Sequence, residues 1–237
     1  MLSNQEEILI GDACPFSIVD FPDHIAAVLF LQGCPWRCPF CYNTSLQPYR
    51  ENSESIWTFE KFLNFIARRK GALDAVVFSG GEPLMQKNLR VAVQKVKDLG
   101  YTVGMHTGGY DPERLREVLP FVDWIGLDIK GPKEKYKALT GGFDAFDAVC
   151  ESLDLIKKSG VAFECRTTCD PRLLEVKDLF ELGTLLKNAG VKEYYLQKYR
   201  PVESDKRTSD FDCEALISDA GLIDFLHASF EKFDVRK

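Results

Sequence analysis

The chain has 237 residues, of which 45% are hydrophobic and 28% charged, with a formal charge of -6 and an isoelectric point near 5.2. That length allows one domain with a real core, in the size range of barrel-type α/β folds. The acidic balance lacks the basic footprint of a nucleic-acid binder, so nucleic acid is not an expected partner. The N-terminus, MLSNQEEILI, has no basic region followed by an apolar core and does not read as a signal peptide. The longest apolar run, AAVLFL at 26–31, falls far short of the ~20 residues of a membrane span. A cytoplasmic protein with no membrane partner is therefore expected. In a reducing compartment, closely spaced cysteines serve as metal ligands or redox groups more often than as disulfides.

In chain order, the first strand is expected at 26–32 (AAVLFLQ). A helical period follows, with Phe59, Phe62, Leu63 and Ile66 at i, i+3, i+4, i+7. Strand 74–79 comes next, then Leu89, Ala92, Val93 and Val96 on one helix face, then strand 101–107. Asp111-Pro112 marks a helix start, an N-cap acceptor before a proline at the first helical position. Strand 123–129 precedes a helix with Phe146, Val149, Cys150 and Leu153 on its apolar face. Strands at 161–168 and 192–199 and a last helix at about 213–230 complete the pattern. Glycines 100, 160 and 190 close helices before the following strands. Six βα-type units imply parallel strands with right-handed crossovers. A doubly wound sheet and a six-stranded barrel both fit, and either puts active groups at the C-terminal strand ends.

Those ends carry the specific signals. The first strand runs into CPWRCPFC, which places Cys34, Cys38 and Cys41 at a C-x3-C-x2-C spacing with no fourth cysteine. A closed zinc site or an ordinary iron–sulfur cluster wants four ligands. The second strand ends in SGGEP, Ser79 to Pro83. There Gly80 and Gly81 would let a ligand lie against the backbone, and Glu82 would accept from a ligand amine. The third ends in HTGG with Thr107, and the fourth in DIK with Asp128 and Lys130. The fifth carries Arg166, and the sixth Gln197. Side chains two apart share a strand face, so Gly126, Asp128 and Lys130 point one way, as do Glu164, Arg166 and Thr168. A carboxylate, an ammonium and a guanidinium together suit a zwitterionic ligand. The plain alternative is that solvated strand ends attract charge.

The three-cysteine loop and the GGE loop resemble the radical S-adenosylmethionine superfamily, over at least residues 12–200. The resemblance implies a partial (βα)6 TIM-like barrel as a single domain, residues 1–237. It also implies one [4Fe-4S] cluster held by Cys34, Cys38 and Cys41, with its open iron chelated by S-adenosylmethionine. Reductive cleavage of that cofactor would yield a 5′-deoxyadenosyl radical. Phe40 matches the aromatic that packs on adenine. The stretches 15–43, 78–86, 123–132, 166–168 and 196–201 resemble activating proteins of glycyl radical enzymes, most of all the longer anaerobic ribonucleoside-triphosphate reductase activating type. Carried over, Glu82 with Gly80 and Gly81 would take the methionyl amine, and Ser79 of the same loop would be among the cofactor-binding residues. Thr107, Asp128, Lys130 and Arg166 would line the methionine and ribose, and Gln197 would close the far side. The implied partners are a glycyl radical enzyme and a flavodoxin or ferredoxin-type electron donor.

Two positions depart from that pattern. Tyr42-Asn43 stands where His-Asn is usual, and His106-Thr107 where many relatives have Asp-Thr. In some activators that Asp helps hold a monovalent cation near the cofactor, for which His106 is a poor ligand, so the resemblance leaves the presence of that cation open. Cys14, Cys150, Cys165, Cys169 and Cys213 show no clustering and read as small buried hydrophobes, Cys150 on its helix face. No cysteine separates Cys41 from Gly80, which leaves no room for a second cluster there. The polar stretches 131–142 and 200–211 are expected as mobile loops on which a partner docks. Two rival functions share some of these features. A radical enzyme that contracts a pterin ring to a deazaguanine would share the cysteines and the GGEP loop. A zinc module would use Cys14 as fourth ligand.

Overall fold

The structure, a computed structural model, describes residues 8–49, 55–201 and 214–236. It resolves into two compact units interleaved along the chain. The first comprises Met1–Pro35, Asn43–Gly126 and Ala148–Ala162, and the second Trp36–Tyr42, Leu127–Asp147 and Phe163–Lys237.

In the first unit, strands β1 (Ile10–Ser17), β2 (Ala26–Leu31), β3 (Ala75–Gly80) and β4 (Thr102–Thr107) lie in chain order. β2, β3 and β4 are parallel, with Ala26 beside Ala75 and Ala75 beside Thr102. β2 is almost wholly buried, which matches its unbroken apolar run. α1 (Phe59–Ala67) and α2 (Leu89–Asp98) bury their expected faces except for Leu63, which is half-buried. Thr58 caps α1 by accepting from the Lys61 amide, and Asp111 caps α3 (Pro112–Val118) by accepting from the Arg114 amide. The glycines at 100, 160 and 190 all have positive φ, as helix-ending residues do.

β1 was not expected, because Gly11 and Pro15 break its pattern. It pairs antiparallel with β2, and the register shifts fall between Ile10 and Asp12 and between Cys14 and Ser17. Both breakers thus sit at irregularities, where a strand tolerates them. Past β1 the chain turns inward, and Phe21 packs in a cluster with Ala26, Val28, Ala75, Val77 and Trp124. Its ring stacks on Trp124 at 5.2 Å between centroids.

The second unit holds the parallel strands β6 (Ala162–Cys169), β7 (Glu193–Lys198) and β8 (Lys232–Arg236), again in chain order. β5 (Trp124–Asp128) passes from one unit into the other along the chain. α4 (Lys133–Leu139), most of α6 (Val176–Asn188) and α7 (Ala220–Ser229) were read differently or only in outline from sequence. The stretch 131–142 is not a mobile loop. α4 fills it, with Tyr136 and Leu139 fully buried one turn apart and Tyr136 edge-on to Phe146, the first residue of α5 (Phe146–Ser159). Lys135 of α4 pairs with the buried Asp178 carboxylate at 2.6 Å. The stretch 202–211 and Cys213 lie outside the described residues. The last helix begins at Ala220, not near 213, because Asp219 caps it there by accepting from the Leu222 amide. α6 and α7 meet through Phe180 and Phe225, 5.1 Å apart. Cys150 is half-buried instead of core, whereas Cys165 and Cys169 are fully buried. Among the described residues no helix is long and apolar enough to cross a membrane.

Phe21 is 5% exposed, so Phe21→Ala is expected to cost about 3–5 kcal/mol of stability. Val19→Ala, two residues away and 83% exposed, should change stability by less than about 0.5 kcal/mol. Urea denaturation of the metal-free chain followed by circular dichroism measures both.

Candidate functional site

In the first unit the start of the cysteine loop is joined to the loop after β3. The Glu82 amide donates to the Gly33 carbonyl at 2.8 Å, and the Gly81 amide to that of Leu31 at 2.9 Å. The Gly33 and Cys34 amides donate to Leu46 and Gln47, on the returning chain. Gly80 and Gly81 are needed for this contact. A Cβ on Gly81 would stand 2.2 Å from the Gly33 oxygen, and one on Gly80 2.1 Å from the Leu31 nitrogen. Their missing side chains therefore admit this chain's own backbone on that side.

Glu82 is 2% exposed. Its Oε1 accepts from the Leu84 amide at 3.1 Å and from the Thr107 hydroxyl at 2.5 Å. Its Oε2 accepts from the Gly108 amide at 2.8 Å. One carboxylate thus ties the end of β3 to the end of β4. Thr107 in turn accepts from the Gly109 amide. His106 lies on the opposite strand face, as alternation demands. Its ring contacts the Asp20 carbonyl through Nε2 at 2.8 Å, stands 3.5 Å from the Ser79 hydroxyl, and meets Trp124 edge-on. Ser79 and His106 therefore share a face that Glu82 and Thr107 do not.

Two buried glutamines were missed from sequence. Gln32 donates to the carbonyls of Ser45 and Pro48. Gln86 donates to the Gln32 carbonyl at 2.6 Å and accepts from the Leu9 amide. Both stand next to the recognised motifs, and a polar residue flanking such a loop is the signal that could have found them. Cys14 sits beside Val28 in the β1–β2 register, and its thiol points to the Phe16 carbonyl. That is three residues, about 10 Å, back along β2 from Leu31. Cys14 is not placed to complete a ligand set with Cys34.

In the second unit, Asp128, Lys130 and Arg166 come together. Arg166 Nε donates to Asp128 Oδ1 at 2.9 Å, and Lys130 Nζ stands 3.9 Å from Asp128 Oδ2. The Lys130 ammonium also faces the rings of Trp36 and Phe40, at 5.2 and 5.8 Å. Phe40 is 5% exposed. The Cys41 amide donates to the Cys38 carbonyl, closing a tight turn between those two thiols. Burial pushes the Cys38 thiol above its ordinary pKa, and the nearby Lys130 charge opposes that rise. Gln197 accepts from the Thr168 hydroxyl at 3.5 Å. Tyr42 is anchored: its hydroxyl accepts from the Arg200 amide at 2.7 Å, and its ring stacks on Tyr199. Arg172 lies over Tyr199 and pairs with the fully buried Asp170.

Among the described residues no three His, Cys, Asp or Glu side chains are gathered closely enough to hold a metal ion as they stand. The donor set nevertheless fits an iron–sulfur cluster: three thiols in one short loop, none of them in a disulfide.

The chain belongs to the radical SAM superfamily, whose profile matches residues 28–182. It is a radical SAM enzyme homologous to glycyl-radical-enzyme activating enzymes, and the cofactors of its superfamily are a [4Fe-4S] cluster and S-adenosylmethionine. A Methanocaldococcus jannaschii protein provisionally named a glycyl-radical enzyme activating enzyme is 28% identical over 203 residues, 83% of this chain and 82% of the relative. The pyruvate formate-lyase-activating enzyme of Clostridium pasteurianum is 32% identical over 182 residues, 72% of this chain and 73% of the relative. The 7-carboxy-7-deazaguanine synthase of Thermococcus kodakarensis is 27% identical over 183 residues, 76% of this chain and 69% of the relative. Among solved structures, Streptococcus suis SuiB bound to S-adenosylmethionine shares the fold with a TM-score of 0.66 at 12% identity. The match covers 87% of this chain and 48% of SuiB, so the chain spans about half of that protein's length.

Glu82→Ala would orphan three buried donors, each worth about 1–3 kcal/mol, so a loss of about 3 kcal/mol or more is expected even without cluster or cofactor. Thermal denaturation of the metal-free variant checks this.

Proposed function

We propose that this chain is an activase that installs a glycyl radical on a partner enzyme, either an anaerobic ribonucleotide reductase or a pyruvate formate-lyase-like enzyme. The observation that carries this reading is the pairing of Asp128 with Arg166 beside Lys130, in a chain with a three-thiol loop and these relatives. Cys34, Cys38 and Cys41 would hold the cluster. Glu82 with Gly80 and Gly81 would take the methionyl amine, Ser79 would contribute to the cofactor-binding loop through its backbone, and Thr107, Asp128, Lys130 and Arg166 would line the methionine and ribose. Phe40 would pack on the adenine, and Gln197 would close the far side. When bound, the reduced cluster and S-adenosylmethionine supply a carbon-centred radical strong enough to take hydrogen from a glycine. The protein's part is to hold the cofactor in one pose and keep water from it. A flavodoxin or ferredoxin-type protein would deliver the electron. Residues 1–237 would form a single radical SAM domain, as the family resemblance implies. A cytoplasmic location suits the acidic, cysteine-bearing chain.

The second reading is a small-molecule enzyme of the deazaguanine type, favoured by the likeness to the Thermococcus protein. Electron paramagnetic resonance separates the two. After anaerobic incubation with reduced activase and cofactor, the partner should show a glycyl radical doublet. Partners that all stay diamagnetic while a pterin is turned over would establish the second reading.

Cys34→Ala, Cys38→Ala or Cys41→Ala should each abolish both the cluster and cofactor cleavage. Cys14→Ala should spare both, and iron analysis with a cleavage assay decides. Lys130→Ala should keep a normal cluster yet bind S-adenosylmethionine more weakly by ~2–5 kcal/mol, the usual cost of removing a charged partner of a ligand that is desolvated on binding. Unchanged affinity in titration calorimetry would return Lys130 to the role of a surface charge.

A further inference from the structure

Glu164 lies on β6 with only 1% of its side chain exposed. A carboxylate so deeply buried is costly unless a cation meets it. The cation is Arg236, the next-to-last residue of the chain, on the edge strand β8. The contact is two-pointed: Nη1 donates to Oε1 at 2.5 Å and Nη2 to Oε2 at 2.8 Å. The guanidinium lies 3.7 Å over the ring of Tyr195, on the intervening strand β7. This fork geometry and ring stacking suit arginine and not lysine.

Glu164 is two residues from Arg166, so both side chains stand on the same strand face, roughly 7 Å apart along it. Arg166 is already committed to Asp128 at 2.9 Å, and Asp128 also faces Lys130. Farther along, Glu193 of β7 pairs with Lys232 of β8. The face therefore carries two arginines serving two carboxylates side by side. Loss of Arg236 would leave Glu164 as an uncompensated charge in a poorly solvated place. The nearest cation on its own strand is Arg166, on a side chain long enough to swing.

We propose that Arg236 is a positioning residue for the cofactor pocket: by satisfying Glu164 it keeps the Arg166 guanidinium on Asp128. Strand β8 thereby sets the affinity for S-adenosylmethionine without touching it. This rests on the reading above that Asp128 and Arg166 hold the cofactor, so the test includes those two residues.

The experiment titrates S-adenosylmethionine into the full-length, cluster-loaded protein by calorimetry. Arg236→Ala should raise Kd by about tenfold or more with unchanged iron content. Arg236→Lys should fall between it and the unaltered protein. The double variant Arg236→Ala with Glu164→Gln should return to within about threefold of the unaltered protein, because the orphaned carboxylate is gone. In metal-free, 15N-labelled protein the Arg166 Nε–H resonance, identified by its loss in Arg166→Lys, should shift and exchange faster in Arg236→Ala and recover in the double variant. A merely structural role for Arg236 would give no such recovery, and failure of the double variant to recover overturns the proposal. Normal affinity in Arg236→Ala, with affinity lost in Asp128→Ala and Arg166→Ala, overturns it too. Normal affinity in Asp128→Ala and Arg166→Ala overturns the pocket assignment instead. Should Arg236→Ala fail to fold, the double variant decides: folding with normal affinity supports the proposal, while weak binding or failure to fold overturns it.

Discussion

The first unit depends on the buried carboxylate of Glu82. Two loops that follow different strands have no reason of their own to keep a fixed relation. Three donors on one carboxylate, from Leu84, Thr107 and Gly108, supply that reason. Because the same loop gives its Glu82 amide to the Gly33 carbonyl, the chain just before Cys34 is placed by it as well. A residue that looks like a ligand group is thus the joint of the scaffold. The glycines beside it belong to the same joint. They lie at a contact between backbones too close for any Cβ.

The second unit solves a different problem, that of charged groups on the face of a buried sheet. Burying single charges is expensive, and pairing makes them tolerable without making them a source of stability. Asp128 with Arg166, Glu164 with Arg236 and Asp170 with Arg172 follow that rule. Such pairs also fix orientation. An arginine held through Nε by one carboxylate presents the rest of its guanidinium in a defined direction. That is what a pocket needs if it is to hold a zwitterion in one pose. Lys130, facing an acid and two aromatic rings, has the same quality of being aimed.

Departures from the family pattern become intelligible in these terms. Tyr42 is tied by its hydroxyl to the chain after β7 and stacked on Tyr199, so the segment after the last cysteine is anchored by a ring where histidine is usual. His106 turns to the Asp20 carbonyl and Trp124, into the packing around Phe21, on the strand face opposite Glu82 and Thr107. It belongs to the scaffold under the inward turn of residues 18–24.

Local pattern determined much by itself. The parallel strands, the α1 and α2 faces, the caps at Asp111 and the helix-ending glycines follow from period, β-branching and capping chemistry that act within a few residues. The C-x3-C-x2-C loop and the GGE loop were legible because their chemistry is written in adjacent residues. Tertiary structure decided what adjacency cannot express. β1 exists only because β2 pairs with it and lets Gly11 and Pro15 sit at irregularities. The helix at 133–139 forms in a stretch of polar composition because Tyr136 and Leu139 are buried among residues distant in sequence. Gln32 and Gln86 carry no local signal of the carbonyls they satisfy. Arg236, 72 residues from Glu164, shows what it pairs with only once β6, β7 and β8 lie side by side, because a buried charge is compensated through space and not along the chain.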